Sequence, residues 1–232
     1  MNPPAEKFRI YQIELTNFCN MRCTYCPHPA MTRDKGYMSE ATLERCLYLA
    51  KTNGLALERL VVHHFGEPLL HFELAARLRQ IAEAGFEIEF STNGLLLAQC
   101  YKLLRAVPTK IHITLSAHQW SNHHPNVYYK ELQKWRTNFV GTNVTINQAH
   151  NIDKNKLHIH KWTNGKNNSA TPKNCFFLNS NYGVVLWNGD LVSCCADHNG
   201  ESIIGNVHHD SSLFARTTPW QGCRGCDLFP GD

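Results

Sequence analysis

Three cysteines fall within eight residues, Cys19-Asn-Met-Arg-Cys23-Thr-Tyr-Cys26, forming a C-x3-C-x2-C loop. The run before it, Phe8 to Thr16, alternates and is rich in β-forming residues, so it reads as a strand that delivers the loop at its carboxyl end. No other feature constrains the chain as much. Three thiolates on one short loop can hold three irons of a [4Fe–4S] cluster and leave the fourth iron open. A structural zinc site needs a fourth ligand nearby, and His28 is close enough in sequence to serve, so zinc is the alternative for this loop. Eight of the ten cysteines lie in two zones: Cys19, Cys23 and Cys26 near one end, and Cys175, Cys194, Cys195, Cys223 and Cys226 near the other. The opening MNPPAEKFRI lacks the apolar core of a signal peptide, so a cytoplasmic location is expected. Thiols stay reduced there, and the two zones read as two metal sites rather than as disulfides.

Between residues 8 and 165, strand-like and helix-like segments alternate. Arg59–His64, Phe86–Ser91 and Lys110–Ser116 read as short strands, and Asn143–Gln148 and Leu157–Lys161 as two more. Ser39 caps a helix that Asn53-Gly54 stops, Phe72–Ala84 and Leu95–Ala106 are helical, and Tyr128–Asn138 is a short helix. Such alternation implies parallel pairing through right-handed crossovers. A complete eight-unit barrel takes about 250 residues. The expected fold is therefore α/β, an open partial barrel of five or six parallel strands. The polar, turn-rich Thr163–Lys173 marks a boundary between a barrel domain, residues 1–165, and a small C-terminal unit, residues 166–232. In that unit Tyr182–Trp187 and Asp190–Cys195 flank Asn188-Gly189, a strong hairpin signal, and the tail beyond has little periodicity. A unit this small and polar is expected to need metal to fold.

Composition removes other classes. Hydrophobic residues make up 43% and charged residues 18%, which is globular rather than disordered. No apolar run approaches the roughly 20 residues of a membrane span. The net charge of +4 comes from scattered Lys and Arg with no basic run, so no nucleic-acid partner is expected.

The cysteine loop resembles that of the radical S-adenosylmethionine (SAM) superfamily, whose pattern is C-x3-C-x-(aromatic)-C after the first strand of a partial barrel. Cys19, Cys23, Tyr25 and Cys26 match it. His64-Phe65-Gly66-Glu67-Pro68 follows the second strand and is similar to the family's Gly-Gly-Glu-Pro stretch, with Phe65 replacing the first Gly. An ordinary strand-to-helix turn is the plainer reading of Gly66–Pro68. Thr92 and Asn93 after the third strand and Ser116 after the fourth fall where the family makes further SAM contacts. The resemblance implies a shared first step. SAM chelates the open iron, one electron breaks its carbon–sulfur bond, and a 5′-deoxyadenosyl radical takes a hydrogen atom from an unactivated C–H bond.

Four C-terminal cysteines, Cys175, Cys194, Cys223 and Cys226, complete one tetrahedral set, which on spacing suits zinc and a [4Fe–4S] cluster equally. The arrangement resembles the twitch domain, the short form of the SPASM domain appended to many radical SAM enzymes. That resemblance implies a second, auxiliary [4Fe–4S] cluster. Cys195 reads either as a small buried apolar residue or as a thiol that returns a hydrogen atom to a substrate radical. His118 and Asn147 at strand ends, and Asp197 and His198 after the auxiliary set, are candidates to bind substrate or accept a proton. His63 and His64 read as satisfied or supporting residues near the mouth, and Cys46 and Cys100 as core.

By resemblance, the substrate is expected to be a ribosomally made precursor peptide, with splicease-type tyramine excision as one form. About seven residues precede the first strand, so a separate small recognition protein is expected as partner, alongside an electron donor such as flavodoxin or ferredoxin. The alternative is dehydrogenation of an aminocyclitol or similar polyol, a reaction run by an enzyme of this compact plan. Residues 151–195 contain no Arg, which weighs against that enzyme's own substrate. A non-catalytic zinc-binding module is the third reading.

Overall fold

A computed structural model of the chain describes residues 8–23, 26–116, 125–148, 175, 177, 181–209 and 223. Its eight strands are β1 (Arg9–Ile13), β2 (Leu60–Val61), β3 (Ile88–Thr92), β4 (Ile111–Leu115), β5 (Val144–Gln148), β6 (Tyr182–Val185), β7 (Asp190–Val192) and β8 (Ile203–Asn206). They form one sheet in the order β5-β4-β3-β2-β1-β6-β7-β8. Pairing is parallel from β5 through β6 and antiparallel for β7 and β8. The sheet is open, as a partial barrel requires.

The helices are α1 (Glu40–Asn53), α2 (Leu74–Glu83), α3 (Leu97–Arg105) and α4 (Pro125–Asn138). The Ser39 hydroxyl accepts from the Thr42 N–H at 3.1 Å and starts α1. Strand alternation gives the sheet two faces. Ile88, Phe90, Ile111, Ile113, Val144 and Ile146 are buried in the core shared with the helices. The other face carries Glu89, His112 and Thr145 in one cross-strand row and Ser91, Thr114 and Asn147 in the next. At its lower end Glu87 gathers Lys110 at 2.9 Å, His112 at 3.1 Å and Arg59 at 3.5 Å.

Several elements depart from the sequence reading. The second strand is only two residues long. Backbone pairing with β3 continues to the Val62 N–H, which donates to the Glu89 carbonyl at 2.8 Å. The His63 ring then takes over the role of a strand carbonyl, its Nδ1 accepting from the Ser91 N–H at 3.2 Å. β7 stops at Val192, so Cys194 lies beyond the strand, in the turn that follows. β8 was not legible in the sequence. β6 pairs directly with β1, so the hairpin strands extend the barrel sheet. Gly189 closes the β6–β7 turn at φ +90°, which suits glycine. The expected strand Leu157–Lys161 and the expected boundary at residues 163–173 lie outside the described residues. Among the described residues no helix is long and apolar enough to cross a membrane.

Candidate functional site

The ends of β1 to β4 are joined by one run of hydrogen bonds. The Glu67 N–H donates to the Phe18 carbonyl at 2.8 Å, tying the segment after β2 to the residue before Cys19. The Glu67 side chain is 2% exposed. Its Oε1 accepts from the Thr92 hydroxyl at 2.8 Å and from the Leu69 N–H at 3.1 Å, and its Oε2 accepts from the Asn93 N–H at 2.9 Å. Asn93 donates through Nδ2 to Asn20 Oδ1, inside the cysteine loop, at 2.8 Å. The Ser116 N–H donates to the Thr92 carbonyl at 2.7 Å. Gly66 lies so close to the backbone that follows β1 that a Cβ there would collide with the Thr16 carbonyl oxygen. Pro68 opens a short 3-10 turn over Pro68–Leu70. Gly66, Glu67, Pro68, Thr92, Asn93 and Ser116 therefore converge with the cysteine loop at one end of the sheet. Burial pushes the Glu67 carboxyl up from its ordinary range, and its three hydrogen bonds pull it back.

Cys19, Cys23 and Cys26 are all half-buried. The Cys26 N–H donates to the Cys23 carbonyl at 3.1 Å and tightens the loop. Burial pushes the Cys19 thiol up, with Cys23 adding to it, and pushes Cys26 up to about 11, with Cys23 and Cys19 adding to it. A cluster ligated there would displace those protons. His28, the candidate fourth zinc ligand, bonds through Nε2 to the Asn17 carbonyl at 2.8 Å, and burial lowers its pKa. Three half-buried thiols on one loop, with His28 Nε2 engaged by Asn17, are a donor set that fits a cluster whose fourth iron is left open. Tyr25 lies outside the described residues.

At the other zone Cys175, Cys194 and Cys223 are buried, and Cys226 lies outside the described residues. Cys194 Sγ accepts from the Ala196 N–H at 3.4 Å, a bond of the kind that tunes metal-bound sulfur. Cys195 is half-buried and packs with Tyr11 against Val184, Leu186 and Val192. Asp197 is a residue that the sequence offers as a group to bind substrate or accept a proton. It is fully buried and accepts from the Glu201 N–H at 3.0 Å, the Ser202 N–H at 2.6 Å and the Ser202 hydroxyl at 2.7 Å. Those bonds occupy both oxygens in building its own turn. His118 lies outside the described residues. Asn147 is exposed on the polar face, and Cys46 is fully buried in the core.

Sequence reasoning missed Glu14, Asn17 and Arg33. Asn17 organises the return from the cysteine loop: its Oδ1 accepts from the Gly36 N–H and its Nδ2 donates to the Asp34 carbonyl, both at 2.8 Å. Glu14 is fully buried and takes a two-pronged bond from Arg33 at 2.7 and 2.5 Å. A signal was present, because a carboxylate between Ile13 and Leu15 in a buried strand end demands a cationic partner.

A family model described as the Radical SAM superfamily matches residues 13–145. The probable GTP 3′,8-cyclase of Methanothermobacter thermautotrophicus is 33% identical over 87 residues, 37% of this chain and 28% of that protein. The GTP 3′,8-cyclase of Aquifex aeolicus is 28% identical over 120 residues, 49% of this chain and 36% of that protein. The chain thus spans about a third of the length of these curated relatives. Among solved structures, BtrN in complex with AdoMet and 2-DOIA superposes with a TM-score of 0.59 at 22% identity, covering 90% of this chain and 82% of that one.

Proposed function

This chain belongs to the radical SAM superfamily, and we propose that it abstracts hydrogen from a C–H bond of a ribosomally made precursor peptide during its maturation. When bound, a [4Fe–4S] cluster and SAM supply a 5′-deoxyadenosyl radical. Cys19, Cys23 and Cys26 would hold the cluster. The segment Gly66–Pro68 with Thr92, Asn93 and Ser116 would line the SAM, and Tyr25 would pack on its flat ring. The observation that carries the reading is Glu67, whose backbone N–H ties the segment after β2 to the base of the cysteine loop and whose carboxylate ties it to the end of β3. It aligns groups from three strand ends on one mouth, as positioning a reactive intermediate requires.

The finer parts of the proposal rest on less. Cys175, Cys194, Cys223 and Cys226 would hold an auxiliary [4Fe–4S] cluster; the burial of the three described thiols supports this. Cys195 would return a hydrogen atom to the substrate radical. The polar rows of the sheet, Glu89 with His112 and Thr145 and Ser91 with Thr114 and Asn147, offer hydrogen-bonding groups to a peptide backbone. Splicease-type tyramine excision is one form of such chemistry. A small recognition protein would deliver the precursor, and flavodoxin or ferredoxin would supply the electron. The second reading is dehydrogenation of an aminocyclitol or polyol. It is favoured by the match of nearly the whole chain to BtrN, solved with 2-DOIA.

Anaerobic reconstitution tests the core. About eight irons per chain, four for each cluster, with SAM cleaved to 5′-deoxyadenosine, are expected. Zinc without cleavage overturns it. Precursor peptide with and without its recognition protein, set against an aminocyclitol panel, separates the two substrate readings.

A further inference from the structure

We propose that Arg33 is a positioning residue that mechanically couples the SAM-cluster loop to the turn beginning at Cys194. Its side chain is 11% exposed, and the guanidinium grips fully buried Glu14 at the end of β1 with two bonds, at 2.7 and 2.5 Å. Its Nε donates to the His198 carbonyl at 2.6 Å. His198 belongs to the turn that Asp197 builds, and the Asp197 N–H donates to the Cys194 carbonyl at 3.2 Å. One side chain thus spans from the base of the first cysteine loop to the turn of the second. The coupling depends on Cys194 being part of that turn, whatever the C-terminal cysteines hold.

Two weaker contacts run in parallel. The Thr32 N–H donates to Asn199 Oδ1 at 2.9 Å, and Trp187 Nε1 donates to the Asp34 carbonyl at 3.2 Å. The Trp187 ring lies on Gly36 so closely that a Cβ there would meet it at 2.5 Å. The strip from Thr32 to Gly36 returns from the cysteine loop. It is sewn to β1 on one side, through Glu14 and Asn17, and to the C-terminal hairpin on the other. The arginine fork fits both tasks because it is planar and carries donors on two edges; lysine offers a single point. A shift of well under an ångström in this strip moves the loop that must hold a cluster against SAM, and such misplacement weakens a site out of proportion to its size.

The test uses the full chain, reconstituted anaerobically. Its readouts are iron content, the electron paramagnetic resonance spectrum of the reduced cluster with and without SAM, and the equilibrium Kd for SAM. Arg33→Lys is expected to load iron as the wild type does, to raise the SAM Kd by about tenfold or more, and to lose part of the SAM-induced spectral change. Asn199→Ala, a surface change, moves both in the same direction by a few-fold. Adding Arg33→Lys to Cys194→Ala costs much less than it does alone, because the coupled parts share one route. Arg33→Met alone strands a buried carboxylate and destabilises the fold, so Glu14→Gln/Arg33→Met replaces it and is expected to match Arg33→Lys. Wild-type Kd and spectral change in Arg33→Lys and Asn199→Ala overturn the proposal, as does simple additivity with Cys194→Ala. Absence of any SAM response in the wild-type chain overturns instead the reading of the cysteine loop on which the proposal rests.

Discussion

Glu67 makes every one of its side-chain bonds to a neighbouring backbone or strand end, and none to solvent. In Glu67→Gln one acceptor becomes a donor, and it meets either the Asn93 N–H or the pair on Oε1. A buried mismatch of that kind costs about 1–3 kcal/mol. The expected outcome is a folded chain with a lower denaturation midpoint and SAM affinity weakened by about tenfold, read by equilibrium binding. His63 gives a second test at the same scale. Burial lowers its pKa from 6.5 to about 4. The unfolded imidazole therefore takes its proton first as pH falls. Stability is intact above about pH 6.5 and declines toward pH 4, by at most about 1.4 kcal/mol per pH unit for one group. His63→Asn keeps an acceptor for the Ser91 N–H without a titrating ring. Chemical denaturation from pH 8 to pH 5 should show a flatter acid limb in the variant, only partly flattened because burial also lowers His28, His64, His71 and His198. An unchanged limb would remove His63 from the account.

Elements meet their partners through the turns between them. Gly66 is the tightest such junction, since any side chain there collides with the Thr16 and Asn17 backbone beyond β1, which has no rotamer to yield. Gly66→Ala should cost about 1–3 kcal/mol of stability through overpacking, seen as a lower denaturation midpoint, and should abolish SAM binding by displacing Glu67. Much at this scale was legible in the sequence. α1 runs from its Ser39 cap to Asn53, and β1, β3, β4 and β5 fall where alternation and β-rich runs put them, because each carries its own apolar periodicity. β2 shrank because the His63 ring replaces a strand carbonyl, and no periodicity encodes a ring-to-backbone bond. β8 escaped because its residues Ile203–Asn206 bury little surface and owe their strand to pairing with β7. In the site, cysteine spacing and the Gly-Glu-Pro run were readable as local text. The Glu14–Arg33 grip was not, because it joins residues that only the folded loop brings together.

At the scale of the whole molecule, the continuity of the sheet decides how the two cysteine zones affect one another. β6 pairs with β1 over four register positions, so the C-terminal hairpin is an extension of the strand that carries the SAM-cluster loop. Damage at the C-terminal set should therefore reach the first loop, though less than removal of one of that loop's own thiols. Cys23→Ala takes away one of the three proposed iron ligands and should reduce 5′-deoxyadenosine formation to background. Cys226→Ala leaves those three ligands and the Glu67 rim in place. It should retain a measurable fraction of SAM cleavage while forming no modified product, because the proposed auxiliary cluster then lacks one of its four ligands. Both quantities are measured in the same anaerobic assay, 5′-deoxyadenosine by chromatography and product by mass shift. If the two variants lose cleavage equally, the C-terminal cysteines serve only as a scaffold for β6 and β7. If Cys226→Ala still makes product, the auxiliary cluster is dispensable, and the chemistry resides wholly in the barrel.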